Sequence, residues 1–215
     1  MENGTQTPDI YQISWATSSN FDEDLITVSP ITTKSAADMY DRSKIMYQYQ
    51  KGAPVRDLVL TVPRKPDAYI TCRGVQKDVF TKGEHKIETN KYGAQFVLDA
   101  DNPHHIALYE TFAKVIAKLT DLTGATVTFP IKDMDGYSIL YTNLIHSNDG
   151  RMFSSAYTAE EQLDILEVRK SKVRPAFLLS AIKNPKTPKE MKIRVQVSQM
   201  YIHEEIRNFP LATRD

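Results

Sequence analysis

The sequence predicts a mainly β protein with one long α-helix, as in elaborated small barrels or sandwiches. Segments rich in β-branched and aromatic residues recur along the chain between turn signals, and they amount to seven to ten strands. Only residues 103–122 combine the spacing and the end signals of a long helix. The strands and this helix together indicate one β domain with a helix set into it.

The helix is predicted from its two ends and from the spacing between them. Asp101-Asn102-Pro103 is typical of a helix start, because Asp or Asn caps free N–H groups and Pro fits the first helical position. Gly124 is expected to end the helix. The apolar residues that fall at helical spacing are Ile106, Tyr109, Phe112, Ala113, Ile116 and Leu119. A capping box at residues 158–161 indicates a second, short helix over 160–168.

The strands are predicted from alternation and from the prolines that end it. Residues 44–51 place Ile45, Tyr47 and Tyr49 on one face, and the apolar run 56–63 follows after a turn. A short strand at 69–72 is expected to lead through Arg73-Gly74-Val75 into a long loop over 76–91. Further strands are expected at 92–100, 125–131, 137–145, 151–157, 173–182 and 191–201.

Length and composition predict one domain in a reducing compartment. The 215 residues are 41% hydrophobic, which is enough for a proper core. We expect residues 1–24 to form a polar, acidic N-terminal segment and residues 25–215 a single barrel domain. No apolar run approaches the roughly 20 residues that span a bilayer, and the N-terminus lacks a secretion signal. With Cys72 as the single cysteine, the expected location is intracellular, in the host cytoplasm or nucleus if the protein is viral.

The net charge of zero hides an uneven distribution. Residues 1–43 carry seven acids against two bases, a local charge of −5. Residues 169–194 carry nine bases against Glu190 alone, a local charge of +8. This basic hairpin is interpreted either as a polyanion-binding surface or as a solvated hairpin whose lysines keep a sheet edge soluble.

The sequence contains no catalytic arrangement that rises above chance. His104 and His105 open the helix, but Glu110 stands at the wrong spacing for a metal site on one face. There is no G-x-S-x-G, no phosphate-binding glycine loop and no dinucleotide fingerprint. Cys72 beside Arg73 could have a lowered pKa, although a buried strand cysteine is the preferred interpretation. We therefore expect no enzyme activity, no cofactor and no metal.

What remains is a binding surface that combines basic and aromatic residues. Proteins that bind single strands without sequence preference need Lys and Arg along the phosphates and aromatic rings that stack on bases. Each aromatic residue, Trp15 included, has the alternative role of a core residue. The candidate nucleic-acid-binding residues are Lys44, Tyr47, Tyr49, Lys51, Arg73, Lys77, Phe80, Lys172, Arg174, Lys192 and Arg194.

The order of these segments resembles a known family, the OB-fold single-stranded DNA-binding proteins of certain phages and especially their counterparts in nucleocytoplasmic large DNA viruses. A tyrosine-bearing strand leads to an apolar strand ending in proline, a glycine-marked turn follows, and a strand enters a helix. A late strand contains Gln199. The matching stretches are Ile45–Pro63, Arg73-Gly74-Val75, Lys91–Leu119 and Val173–Tyr201. The resemblance implies an OB-fold-like closed or partly open barrel with extra strands.

The resemblance also implies a function. It is sequence-independent binding of single-stranded DNA, with RNA as an alternative, during viral DNA replication, recombination or repair. Expected partners are replication proteins and further copies of the chain, and no membrane. The alternative is a structural or protein-interaction module, a virion or scaffold component, that self-assembles through its acidic front and basic back. The phage proteins end in an acidic tail, whereas this chain ends in RNFPLATRD. The acidic N-terminal segment is the hypothetical substitute for that tail.

Overall fold

The structure is a computed structural model that describes residues 15–30, 41–82, 85–147, 149–183, 186–187 and 189–206, with residues 79–82, 85–88 and 90 described by their backbone alone. These residues contain thirteen strands and one α-helix. In chain order they are β1 (Ile26–Val28), β2 (Asp41–Tyr47), β3 (Arg56–Asp57), β4 (Val59–Thr61), β5 (Ile70–Lys82), β6 (His85–Asp99), α1 (Pro103–Thr123), β7 (Thr126–Thr128), β8 (Ile131–Met134), β9 (Tyr137–Leu144), β10 (Ser155–Tyr157), β11 (Gln162–Leu163), β12 (Ser171–Lys183) and β13 (Glu190–Glu205).

Five of the strands close into a barrel. β5 pairs with β6 and β6 with β9, both antiparallel, and β9 then pairs with β13 in parallel. β13 pairs with β12 and β12 with β5, both antiparallel, which completes the circle. Numbered along the chain, the barrel strands follow the order 1-2-3-5-4-1, which is the connectivity of an OB-fold. The prediction of a mainly β, OB-fold-like barrel with extra strands is confirmed.

The core lies inside this barrel and beneath the helix. Alternating residues of β6 and β12 point inward, and the rings of Phe96 and Phe177 meet edge to face with their centroids 5.0 Å apart. Phe112 of α1 reaches the same cluster, 6.3 Å from Phe177. Helix and barrel therefore share one hydrophobic core.

The helix begins and ends where the sequence predicts. The Asn102 side chain accepts hydrogen bonds from the backbone N–H groups of His104 and His105, and Gly124 adopts a left-handed conformation with φ of 63°. The predicted apolar face needs a correction, because Ile106 and Tyr109 are 41% and 37% exposed. Phe112 and Leu119 are buried as predicted, and α1 also buries Leu108 and Val115, which the prediction lacked. Within the described residues, no helix has both the length and the apolar character needed to cross a bilayer.

The predicted long loop over 76–91 is wrong, since the described residues 76–82 and 85–91 form the arms of the β5–β6 hairpin. Regularly spaced lysines on both arms hide the β signal of the residues between them. Gly74 adds a bulge to β5, where the pairing register shifts between Cys72 and Val75. A glycine within a strand commonly marks such a bulge, so Arg73-Gly74-Val75 belongs to a bent strand and not to the start of a loop.

Three other predicted segments also differ from the structure. Thr158 does cap the N–H groups of Glu160 and Glu161, but the chain then forms β11 and a short 3-10 turn instead of a helix over 160–168. β11 pairs antiparallel with β10, so these residues extend the sheet and do not form the predicted helix. The strand predicted at 151–157 is limited to β10, and the apolar run 56–63 is divided between β3 and β4.

The described part of the N-terminal segment packs on the barrel. Ala16 is 1% exposed and lies in the common core. Two acids that follow form salt bridges with lysines of α1. A carboxylate oxygen of Glu23 lies 3.6 Å from the Nζ of Lys114, and one of Asp24 lies 2.7 Å from the Nζ of Lys118. The division of the chain at residue 24 stays a prediction, and residues 1–14 lie outside the described part.

Candidate nucleic-acid interface

The first three barrel strands, β5, β6 and β9, share one outer face. On β6 the side chains of Ala94, Phe96 and Leu98 are buried, so the residues between them point outward. Gln95 stands opposite Tyr141 on β9, and Gly93 stands opposite Asn143. The outer face is defined here by its partly or fully exposed residues, which include Thr71, Arg73, Gln76, Gly93, Gln95, Val97, Asp99, Tyr137, Tyr141 and Asn143.

A groove of about 210 Å³ crosses this face at Gly93. A Cβ atom at Gly93 would stand only 2.6 Å from the backbone oxygen of Thr142, so no other residue fits without moving the strands apart. The missing side chain keeps the floor of the groove low. Two predicted residues, Arg73 and Lys77, line this Gly93 groove together with Gln95, Tyr141, Asn143 and the acidic residue Asp78.

The bulge at Gly74 sets the position of Arg73. Gly74 has a φ of 101°, and its N–H donates to the Sγ of the buried Cys72. The neighbouring Arg73 side chain is exposed, and its guanidinium carbon lies 6.0 Å from the centre of the Tyr137 ring. Cys72 is buried in β5, which confirms the preferred interpretation of a buried strand cysteine, and burial raises the pKa of its thiol to about 11.

Tyr141 is a candidate interface residue that the sequence analysis missed. It is 39% exposed at the centre of the outer face, beside the Gly93 groove. Its neighbours Leu140 and Leu144 are buried on the opposite side of β9. The residues of YSILYTNL alternate between the two faces of β9, but both faces carry large apolar residues. Alternation alone therefore does not decide which face is exposed.

A second depression, of about 510 Å³, is lined by Thr71, Val97 and Tyr137 of the outer face. The rings of Tyr69 and His203 stack there with their centroids 4.4 Å apart and their planes within 5°. Lys172, a predicted residue, lines this His203 pocket together with Glu204 and Asp99. The pocket therefore has mixed charge, unlike the more basic groove.

His105, also on the pocket wall, is buried in a neutral form. Its Nδ1 accepts a hydrogen bond from the Asp99 N–H at 3.0 Å, so its Nε2 carries the proton and donates to the Tyr69 carbonyl at 3.2 Å. Burial lowers the pKa of this histidine below its usual value of about 6.5.

Because the folded pKa of His105 lies below the unfolded one, the free energy of unfolding is expected to be constant above about pH 7. It should fall as the pH drops below about 6.5, by at most about 1.4 kcal/mol per pH unit. Urea unfolding between pH 7.5 and 5 measures this slope. The variant H105N, which removes the titrating ring, should show a shallower slope, and an equal slope in both proteins would contradict the assignment.

Three other predicted residues lie together on a different surface, formed by β2, β12 and β13. Lys44 and Arg194 flank Ser180 in one cross-strand row, and Arg42 and Lys192 flank Ile182 in the next. Lys44 forms a salt bridge of 3.2 Å with Asp57. Burial, together with the charge of Arg42, lowers the pKa of Arg194. This basic face has charge but no aromatic residue in either row.

The structure places the two predicted tyrosines outside the Gly93 groove and the His203 pocket. Tyr47 is 2% exposed, its hydroxyl accepts from the Asp22 N–H at 2.9 Å, and its ring stacks on Phe21. This burial removes Tyr47 from the candidate interface, because a base could not reach its ring. The half-buried Tyr49 donates to the Asp57 carbonyl and accepts from the Val59 N–H, and burial raises its pKa to about 12.

The remaining candidates do not join either surface. Arg174 is half-buried, its Nε donates to the Val62 carbonyl at 3.0 Å, and its guanidinium carbon lies 5.1 Å from the centre of the Trp15 ring. Lys51 is exposed in the turn that follows Tyr49. The side chain of Phe80 lies outside the described part, so its role stays a prediction. Among described residues, no group of three or more His, Cys, Asp and Glu side chains could hold a metal ion.

The fold and the face together define an OB-fold barrel with basic and aromatic residues on the outer side of its first three strands. Searches with the sequence find no matching family model and no matching curated protein. Solved structures with a similar fold include the single-stranded DNA-binding protein from bacteriophage Enc34 in complex with ssDNA, at 10% identity and a TM-score of 0.47, over 84% of this chain and 98% of that chain.

A second solved structure is gp2.5, a single-stranded DNA-binding protein encoded by bacteriophage T7. It is 8% identical with a TM-score of 0.43, over 73% of this chain and 97% of that chain. Both are phage single-stranded DNA-binding proteins, the class that the layout of the sequence resembles. The relation to proteins of nucleocytoplasmic large DNA viruses stays a prediction.

Proposed function

We propose that this protein binds single-stranded DNA without sequence preference through the outer face of β5, β6 and β9. The observation that carries the proposal is the Gly93 groove, which is lined by the predicted residues Arg73 and Lys77 and by the exposed Tyr141. OB-folds commonly bind oligonucleotides on the corresponding face of their barrel. Basic groups that follow the backbone, with aromatic rings that stack on bases, are what binding of a single strand requires.

In the proposed mechanism, Arg73 and Lys77 contact phosphates while a base stacks on Tyr141. The amide side chains of Gln95 and Asn143 flank Tyr141 and supply hydrogen-bond donors and acceptors that suit any base. A duplex keeps its base faces stacked inside the helix and cannot offer them to this ring. The face therefore favours a single strand, of DNA or alternatively of RNA.

We infer a role in protecting or organising single strands during replication, recombination or repair of viral DNA, without enzymatic activity. Replication proteins and further copies of the chain are the proposed partners. The alternative function is self-assembly through the acidic residues 1–43 and the basic residues 169–194. Against it, Glu23 and Asp24 pair with lysines of α1 in the same molecule. Two of the four described acids among residues 1–43 are thus paired within the chain, which favours DNA binding over self-assembly.

The test is fluorescence anisotropy with labelled oligo-dT and a duplex of the same length across a salt series. The expected result is preference for the single strand. Its log affinity should fall linearly with log salt concentration, with a slope of about −0.7 per phosphate contact. A salt-sensitive oligomer with no affinity for either oligonucleotide at low salt would reject the proposal and favour self-assembly.

A further inference from the structure

The largest exposed fraction among the described large hydrophobic side chains belongs to Phe153, at 55%. It lies in the connection between β9 and β10, next to Arg151, whose guanidinium carbon is 5.8 Å from the centre of the Phe153 ring. Single exposed apolar side chains are common on protein surfaces, and what distinguishes Phe153 is the cation beside its ring. The proposed interface of β5, β6 and β9 does not include either residue.

Several hydrogen bonds fix the backbone beneath Phe153. The Phe153 N–H donates to the Ile145 carbonyl at 2.8 Å, and the Ser147 N–H donates to the Arg151 carbonyl at 2.9 Å. The hydroxyl of Ser154 accepts from the Ile145 N–H at 2.7 Å and donates to the Val197 carbonyl at 2.5 Å. The connection is therefore tied to the barrel strand β13, and Phe153 projects from a supported backbone.

Phe153 also continues the line of the proposed groove. Tyr137 and Tyr141 stand four residues apart along β9, which is about 13 Å in an extended strand. Ile145, whose carbonyl holds Phe153, follows Tyr141 by the same interval, and Asn143 between them lines the Gly93 groove. A DNA strand that runs along β9 past Tyr141 and Asn143 would reach Ile145, whose carbonyl accepts the hydrogen bond from the Phe153 N–H.

We propose that Arg151 and Phe153 form a further nucleobase-binding site, at which a base of the same DNA strand stacks on the Phe153 ring. This inference rests on the proposed function, because it extends the path of the bound strand beyond β9. A supported, exposed aromatic ring gives stacking without sequence preference. Arg151 at the ring lies where it can also contact a phosphate of the stacked nucleotide.

The test compares oligo-dT binding by the unmodified protein, F153A and L122A at low salt. Leu122, on α1, is 51% exposed and serves as the matched control for the loss of exposed apolar surface. F153A should weaken binding by about 5- to 150-fold, the range expected for one lost base–aromatic stack. L122A should bind like the unmodified protein. Thermal unfolding of F153A checks that the fold is unchanged.

A second measurement identifies stacking itself. In F153W, oligo-dT should quench the fluorescence of the new tryptophan, whereas an abasic oligonucleotide of equal length should quench it much less. If the unmodified protein binds oligo-dT and F153A binds equally well, the site is wrong and the proposed function stands. If the unmodified protein binds no oligonucleotide at low salt, the proposed function itself fails, and this site with it.

Discussion

Reversing the charges of Arg73 and Lys77 together (R73E/K77E) is expected to weaken binding of oligo-dT by about 100-fold or more at low salt. Each cation is proposed to make one charge-assisted hydrogen bond to a phosphate, worth about 1.5–3 kcal/mol. The two introduced carboxylates add repulsion. The slope of log affinity against log salt concentration should become shallower by about 1.4, as expected for two lost phosphate contacts. Fluorescence anisotropy across a salt series measures both quantities.

The matched control reverses two charges on the basic face, in the variant R42E/K192E. This variant changes the net charge by the same amount. Arg42 on β2 and Lys192 on β13 belong to the basic face, whose two rows of cations contain no aromatic residue. We expect a smaller loss of affinity, because this face offers charge without stacking. A larger loss of affinity in R42E/K192E than in R73E/K77E would place the bound DNA on the basic face and reject the Gly93 groove as its binding site.

The substitution F177A is expected to lower the free energy of unfolding by about 3–5 kcal/mol. Phe177 is 0% exposed and stands between Phe96 of the barrel and Phe112 of the helix, so its removal leaves a cavity where the two parts of the core meet. Urea unfolding monitored by circular dichroism gives the difference in stability.

The exposed Phe153 supplies the comparison for this prediction. F153A removes the same side chain from the surface and should change the free energy of unfolding by no more than about 0.5 kcal/mol. Similar destabilisation by F177A and F153A would show that the packing around Phe177 is not what holds the helix on the barrel.

Several local features of the fold follow from short stretches of sequence. The cap at Asn102, the proline after it and the left-handed Gly124 are decided by residues that are neighbours in the chain, so the helix could be predicted to within a residue or two. The long apolar runs of β12 and β13 are equally clear in the sequence. The hairpin of β5 and β6 was not predicted, although pairs such as Lys82 with His85 are close in the chain, because the lysines of both arms interrupt the alternation of apolar residues.

The candidate site shows the same division at the level of single residues. Arg73 and Lys77 were predicted from charge, and both line the Gly93 groove. Tyr47 was predicted from its position between lysines, and it lies in the core. Tyr141 and Phe153 were not predicted, because only the structure shows that their rings are exposed.

By itself, the sequence determined the secondary-structure class, the helix, the imbalance of charge and the residue types available for binding. Only the tertiary structure decided which face of each strand meets solvent. The physical reason is that a period of two divides a strand into two faces without saying which one is buried. That choice depends on closure of the barrel, through pairings such as β5 with β12 and β9 with β13 that join residues far apart in the chain.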